Sequence, residues 1–429
     1  MAVVLILFSG YIVASAYTTV QGFTLLLMAR HPRRQRRTDL TDAARVPVTV
    51  LVPCFNEEKV IRQTLETILA SAGVTISQVI CVDDGSADHT AEIISDVRQR
   101  HGDKVVVLRQ ANEGKAAALN HGIRFVTTEF FVAIDADTQV TPFTIAYLLT
   151  NFADGQVAAV SGHMLVGNRS PASKAVYSAQ VREYAQANNV ERRALSRLNC
   201  ITTVPGPIGA FRLAAVASVG GYSRATVAED THLTVMLLIK GYRVVHEPRA
   251  TAYTEVPDTL SALRKQRVRW ATGKIQAVLL TFRDALRAAG YVPLIWLYTA
   301  INDMVLPVLS ILRVLVIPIL AVFAARGFVL APRDHLTDVL CAYVIVTLPE
   351  LACSWLSMRW AKTADSASRE AAKLPAAPLS IPSVVVLPVT RLVAVWWAWS
   401  TIATGRRPAW RKLDRTGDVR VPAQAHPPQ

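Results

Sequence analysis

Four apolar runs in the first third of the chain each break off into a short polar cluster, and this repeat limits the fold more than any other feature. Residues 46–53 (VPVTVLVP) run into Cys54–Phe55–Asn56–Glu57–Glu58, and residues 79–82 into Asp83–Asp84–Gly85–Ser86. Residues 104–109 run into Asn112–Glu113–Gly114–Lys115, and residues 130–134 into Asp135–Ala136–Asp137–Thr138. Between them, residues 60–70, 91–99 and 116–125 carry the apolar spacing of helices. Strands alternating with helices predict a parallel, doubly wound sheet. In such sheets ligands bind beyond the carboxyl ends of the strands, so the polar clusters mark a nucleotide-binding crevice. No GxGxxG fingerprint and no GxxxxGK[ST] loop is present, which argues against a dinucleotide dehydrogenase or a P-loop ATPase.

The fourth cluster carries the sharpest chemistry. Alternation along an extended chain sends Asp135 and Asp137 to one side and Ala136 to the other. Two hard oxygen donors there suit Mg2+ or Mn2+ held jointly with a substrate diphosphate; a metal-free polar turn is the plainer alternative. Asp83 and Asp84 suit a ribose hydroxyl or the imino hydrogen of a base, or equally a helix N-terminus. Lys115 is placed to meet phosphate, or stands as a solvated lysine.

Downstream, residues 141–198 read as mixed and helical, lining or covering the site. Residues 204–212 (VPGPIGAFR) form a tight Gly/Pro loop that lets backbone approach a ligand, or a structural turn. Glu229–Asp230 opens an apolar helical run at 233–239. The cation-dense Arg264–Lys265–Gln266–Arg267–Val268–Arg269–Trp270 puts Gln266, Arg269 and Trp270 on one helical face. That face suits a phosphate clamp beside a sugar-stacking indole; a basic helix lying on a membrane is the rival reading.

Both ends of the chain are apolar. Residues 2–29 are nearly uncharged and long enough to cross about 30 Å of hydrocarbon. The arginines follow this run rather than precede it (Arg30, Arg33, Arg34, Arg36, Arg37), favouring a retained anchor with the next domain in the cytoplasm. Residues 292–325, 339–358 and 380–402 are further apolar runs, and the basic tail around Arg406, Arg407, Arg411 and Lys412 reads as cytoplasmic. Three full crossings would put that tail outside, so one run is expected to be interfacial or re-entrant. Arg313 and Arg391 inside these runs either line a polar path or snorkel. The net charge of +14 is read as basic membrane flanks plus a site for anionic phosphates, not as a nucleic-acid surface. Cys54, Cys81, Cys200, Cys341 and Cys353 show no metal or redox spacing.

The ordered set Asp83–Asp84–Gly85–Ser86, Asp135–Ala136–Asp137, Gly209–Ala210–Phe211–Arg212, Glu229–Asp230 and Gln266–x–x–Arg269–Trp270 resembles family 2 glycosyltransferases. It is similar above all to the processive membrane branch, which includes poly-β-1,6-N-acetylglucosamine, chitin-oligosaccharide, hyaluronan and cellulose synthases. The resemblance implies a Rossmann-like α/β GT-A catalytic domain in the cytosol, embedded between transmembrane helices, using a UDP-sugar and Mg2+ or Mn2+. It implies that Pro53, Asn56, Glu57, Asp84 and Lys115 surround the uridine, with Asp83 close by. Asp135 and Asp137 would bind metal and diphosphate. Asp230 would be the general base of an inverting displacement, with Glu229 beside it. Gln266, Arg269 and Trp270 would hold the diphosphate and the acceptor's terminal sugar, and Gly209, Ala210, Phe211 and Arg212 would shape the acceptor pocket. The single N-terminal membrane segment and the Ala–Glu–Asp reading of the base motif depart from several relatives.

The expected division is a transmembrane helix at 1–29, a basic linker at 30–45 and a GT-A domain at 46–275. Interfacial and transmembrane helices follow at 276–403, then a basic cytosolic tail at 404–429. The expected partners are a UDP-sugar (UDP-GlcNAc before UDP-glucose), the growing polysaccharide, the lipid bilayer and accessory export or small membrane subunits, with no nucleic acid. The expected location is the plasma membrane, multi-pass. A non-processive transferase acting on a membrane lipid is the first rival, and a catalytically silent membrane scaffold the second.

Overall fold

The computed structural model describes residues 2–31, 38–168, 171–307, 348–349, 351–353, 355–360, 387–404, 415–419 and 421. Helix α1 (Ala2–Arg30) and the short α2 (Leu40–Arg45) precede β1 (Pro47–Cys54). Helices and strands then alternate through α3 (Ile61–Leu69), β2 (Thr75–Asp83), α4 (Thr90–His101), β3 (Val105–Arg109), α5 (Lys115–Ile123) and β4 (Phe130–Ala133). These four strands are parallel, in the order β3-β2-β1-β4. Successive β1 side chains serve opposite faces. Val50 and Val52 pack with Ile61, Leu65 and Ile94 of α3 and α4, whereas Leu51 packs with Ala118 and Leu119 of α5. Burial on both faces explains why these strands read as unbroken apolar runs.

Beyond β4 the sheet departs from the expected all-parallel arrangement. The chain continues through β5 (Thr138–Val140), α6 (Thr144–Leu149), β6 (Val157–Val166) and α7 (Lys174–Gln186). A π-helical turn (Ala187–Arg192) joins α7 to α8 (Arg193–Leu198), and β7 (Gly209–Arg212), α9 (Leu213–Ser218), α10 (Glu229–Ile239) and β8 (Arg243–Thr254) follow. The eight strands run β3-β2-β1-β4-β7-β6-β8-β5. β7 is antiparallel to both β4 and β6, and β5 is antiparallel to β8. The reversal has a local cause. Residues 204–208 cross the crevice first, so β7 enters the sheet from the carboxyl end of β4, with Gly209 opposite Ala133 and Arg212 opposite Phe130. The Gly/Pro loop thus ends at Ile208, and the supposedly helical stretch 141–198 contains the ten-residue strand β6.

The apolar helices adjoin this domain. α1 buries Leu25, Leu26 and Ala29 against Val190 and Ala194, and Gln21 donates to Tyr298 Oη (2.8 Å) and Asn302 Oδ1 (2.7 Å). Among the described residues, Ser9–Arg30 is the one helix long and apolar enough to cross a membrane. The 28-residue α11 (Leu260–Arg287) begins at an N-cap, Thr259 Oγ1 accepting from Ala262 N, and contains the whole cation-dense stretch. It is followed by α12 (Val292–Ala300) and, near the end, α13 (Leu387–Ala403). Arg391 on α13 bonds Glu183 at 2.7 Å, which answers its cost within an apolar run. Most of the runs expected at 292–325 and 339–358, with Arg313, Cys341 and the basic residues at 406–412, lie outside the described residues.

α11 crosses the start of α10 at Gly273. A Cβ there would stand 2.5 Å from Ala228 Cβ and 2.6 Å from Ala228 N, and Thr226 Oγ1 donates to the Gly273 carbonyl at 3.0 Å. Neither opposing group can swing aside, so Gly273→Ala forces the helices apart at a cost of about 1–3 kcal/mol. The expected result is a lower thermal midpoint in detergent; an unchanged midpoint would mean the crossing is loose.

Candidate active site

A cleft of about 270 Å³ opens at the carboxyl end of β4. Asp135 and Pro53 form its sheet side, Lys115 enters from the first residue of α5, and Glu229 and Asp230 enter from the first turn of α10. Lys115 joins the walls. Its ammonium pairs with the Asp135 carboxylate and lies 3.8 Å from Glu229 Oε1. Burial works against its charge, but Asp135, Glu229 and Asp230 together hold its pKa above the ordinary lysine value. Gly206 closes over this pair: a Cβ there would collide with Lys115 Nζ and stand 3.1 Å from Asp135 Oδ2. The Gly/Pro loop thus makes its close approach to the acids themselves. Asp230 Oδ1 accepts from Thr231 N (2.7 Å). Tyr222 completes the wall because Asn120 on α5 clamps its backbone at 2.7 and 2.9 Å.

Asp135 and Asp137 do not follow extended alternation. β4 stops at Ala133, and the Asp135 carbonyl accepts from Thr138 N (3.0 Å), making a turn. Ala136 is buried, 4% exposed, and so is Asp137. The Asp137 carboxylate pairs with Arg415 and also accepts from Thr138 Oγ1 and Thr254 Oγ1 (3.2 and 3.4 Å). Arg415 belongs to a segment that no sequence motif marked. Its neighbours Thr416 and Gly417 donate backbone N–H groups to the buried Glu255 carboxylate at 2.7 and 3.3 Å. Val419 packs on Leu165 and Tyr253. Burial opposes the Arg415 charge, while Asp137, Glu57, Glu255 and Asp135 hold it in place.

Several residues expected around a nucleotide are committed to the loops that shape the crevice. The Asp84 carboxylate accepts from Gln110 Nε2, Glu113 N and Gly114 N at 2.7–2.9 Å. Asp83 is fully buried, accepts from Ser86 N (2.9 Å) and lies 3.3 Å from Arg109. Asn56, with φ +55°, receives Ala87 N on its side chain and donates its own N–H to Ser86 Oγ; Glu57 N donates to Thr90 Oγ1 at 2.6 Å. On β7, Phe211 lines the cleft and stacks on Phe131. Gly209 and Ala210 are buried strand residues, and Arg212 sits at the far end of the strand, pairing with Glu129 and covering the Phe130 ring at 4.9 Å. Arg212 therefore does not join the cleft. On α11, Gln266 and Arg267 are both buried, Arg269 is close enough to lower the Glu229 pKa, and Trp270 lies under the Arg267 guanidinium at 4.3 Å.

Residues 44–273 match the family model described as glycosyltransferase-like family 2. The chain belongs to this family. The glycosyltransferase is 33% identical over 245 residues to the poly-β-1,6-N-acetyl-D-glucosamine synthase of Staphylococcus aureus (strain COL), covering 57% of this chain and 58% of that protein. Its identity to the Staphylococcus epidermidis (strain ATCC 35984) synthase is also 33%, over 241 residues, 56% of this chain and 57% of that protein. The match therefore spans less than two thirds of these relatives. Among solved structures, the mannosyltransferase PcManGT from Pyrobaculum calidifontis, in complex with GDP-Man and Mn2+, aligns with a TM-score of 0.65 at 20% identity, covering 95% of this chain and 99% of that one. That likeness supports the GT-A-like mixed α/β fold of the glycosyltransferase.

Glu229 gives this site a pH signature. Burial pushes its pKa up from 4.5 to about 7, with Lys115 opposing and Asp230 adding to the rise. Between those values the folded glycosyltransferase keeps a proton that the unfolded chain releases. The stability from this group is therefore full below the unfolded value and is lost as pH rises through the folded one. The thermal midpoint is expected to fall between about pH 5 and about pH 8, and Glu229→Gln should flatten that fall. Parallel profiles for the two proteins would remove Glu229 as its source.

Proposed function

We propose that this glycosyltransferase is a membrane-bound, inverting, processive enzyme that elongates a polysaccharide from a UDP-sugar, UDP-GlcNAc before UDP-glucose, and assists the product across the bilayer. The observation that carries this reading is the single cleft with Asp135 on one wall and Asp230 on the other, bridged through Lys115 and Glu229. The acceptor hydroxyl gives its proton to the Asp230 carboxylate as its oxygen bonds the anomeric carbon. The bond from that carbon to the diphosphate oxygen breaks on the opposite side, UDP takes the electron pair, and the configuration inverts. Lys115 and Arg269 bring positive charge to the leaving side. The kinship with poly-β-1,6-N-acetyl-D-glucosamine synthases supports the choice of sugar.

The donor chemistry fits a divalent cation. Asp135 and Asp137 offer hard carboxylate oxygens, and each is already balanced by a cationic side chain, Lys115 or Arg415. Among the described residues no cluster of three or more His, Cys, Asp or Glu could hold a metal, so in this reading the remaining ligands would have to come from the diphosphate. Asp135 and Asp137 would hold Mg2+ or Mn2+, which when bound supplies charge stabilisation for the departing UDP. The membrane assignment draws on α1 and on exposed apolar residues of the late helices, among them Leu294 and Trp396 at 67% and 76% exposure.

The test is UDP release by the full chain in detergent, with UDP-GlcNAc and UDP-glucose offered separately with Mn2+ or Mg2+, and the products sized. The expected outcome is metal-dependent release from one donor with long products. Asp230→Asn should lower the rate by about 10²–10⁴-fold, and Asp135→Asn should abolish the metal response. Single additions to lipid would replace processive synthesis with lipid glycosylation. No release from either donor would overturn the reading.

A further inference from the structure

Away from the cleft lies a buried ionic group that the proposed reaction does not use, centred on Glu183 near the end of α7. One carboxylate oxygen pairs with Arg267 of α11, and the other accepts from Arg391 Nη2 of α13 at 2.7 Å. The Glu183 side chain is 13% exposed and Arg267 only 4%. Burial alone would raise the Glu183 pKa, but the two guanidinium groups outweigh it and hold it down to about 2. The carboxylate is thus an anion at every physiological pH.

Arg267 has three commitments. It pairs with Glu183, donates Nη1 to Gln266 Oε1 at 2.6 Å, and places its Cζ over the Trp270 ring, 4.3 Å from the centroid. A guanidinium is planar with its donors in a fixed fork, so fixing one edge fixes the plane. The indole that packs on this plane takes its orientation from it. Gln266 is oriented by the same group. Resting on the reading of Gln266 and Trp270 as acceptor contacts, we propose that Glu183 is a positioning residue that sets the acceptor end of the site by holding Arg267 and ties that setting to helix α13 through Arg391. The two arginines are unequal partners. Arg267 is enclosed and has no solvent to replace a lost anion, whereas Arg391 is half exposed. Loss of Glu183 therefore acts mainly on Arg267, and loss of Arg391 acts on the same variable more weakly.

The experiment uses the full chain in detergent with two readouts. The emission of Trp270 is isolated as the difference between each protein and its Trp270→Phe counterpart, and UDP release from the preferred donor is resolved into kcat and KM. Glu183→Gln is expected to move the Trp270 emission to longer wavelength and to lower kcat about tenfold, with donor KM within about twofold and shorter products. Glu183→Asp, which keeps the charge, should restore part of both, and Arg391→Gln should shift both in the same direction by less. An unchanged Trp270 emission in Glu183→Gln overturns the inference, as does a rise in donor KM with unchanged kcat, or an Asp variant no better than Gln. Absence of UDP release from the unaltered chain would instead overturn the proposed function, and the Trp270 emission would still decide whether Glu183 positions the indole.

Discussion

Three carboxylates, Asp135, Glu229 and Asp230, meet in one cleft, and they stay together because Lys115 stands among them. Like charges drawn from β4 and α10 would otherwise drive those elements apart. The lysine comes from the first residue of α5, whose buried face is packed on β1 and β2 through Leu51, Ile80 and Val82. The core therefore fixes where the lysine stem starts, and Asp135 and Glu229 fix where its ammonium ends. Removing one partner from a buried ionic group leaves the others uncompensated, so the cleft's shape and its charge balance are a single property.

The same principle recurs around Asp137 and along α11. Arg415 answers Asp137, Glu57 and Glu255 together, and Glu183 answers two arginines. Each link ties an element of the α/β domain to a segment distant in sequence. The close crossing at Gly273 brings the acids of α10 against the motif helix without any ionic contribution. Packing sets how near the elements come, and charge sets which side chains face each other.

Much of this was legible in the residues themselves. β1 to β4 declared themselves because they are buried on both faces and end abruptly in polar residues. Asp135, Lys115, Glu229 and Asp230 stood at strand or helix ends, where direction is fixed locally. β6, β7 and β8 were harder. β6 (VAAVSGHMLV) is rich in small residues, β7 follows a Gly/Pro loop that masks its start, and β8 carries Glu247, Pro248 and Arg249. Asp84 was read either as a ligand contact or as an acid at a helix N-terminus; its carboxylate accepts from Gln110 Nε2 and from the backbone of residues 113 and 114 at the start of α5, a partnership that exists only once β2 and β3 are paired. Arg415, Glu255 and Glu183 had no local signal at all, since a lone charge in a sequence does not announce a partner 84 or more residues away.

The bond between Arg415 and Asp137 also fixes an order of assembly. Asp137 and Glu255 are synthesised well before residues 415–417 leave the ribosome, and α13 lies between them in the chain. Until then Asp137 and Glu255 have no such counter-charge, and Leu165 of β6 and Tyr253 of β8 lack their Val419 cover. The wall that carries Asp137 is thus completed only after α13 has been made, so a nascent chain passes through the earlier part of synthesis without the Arg415 pairing.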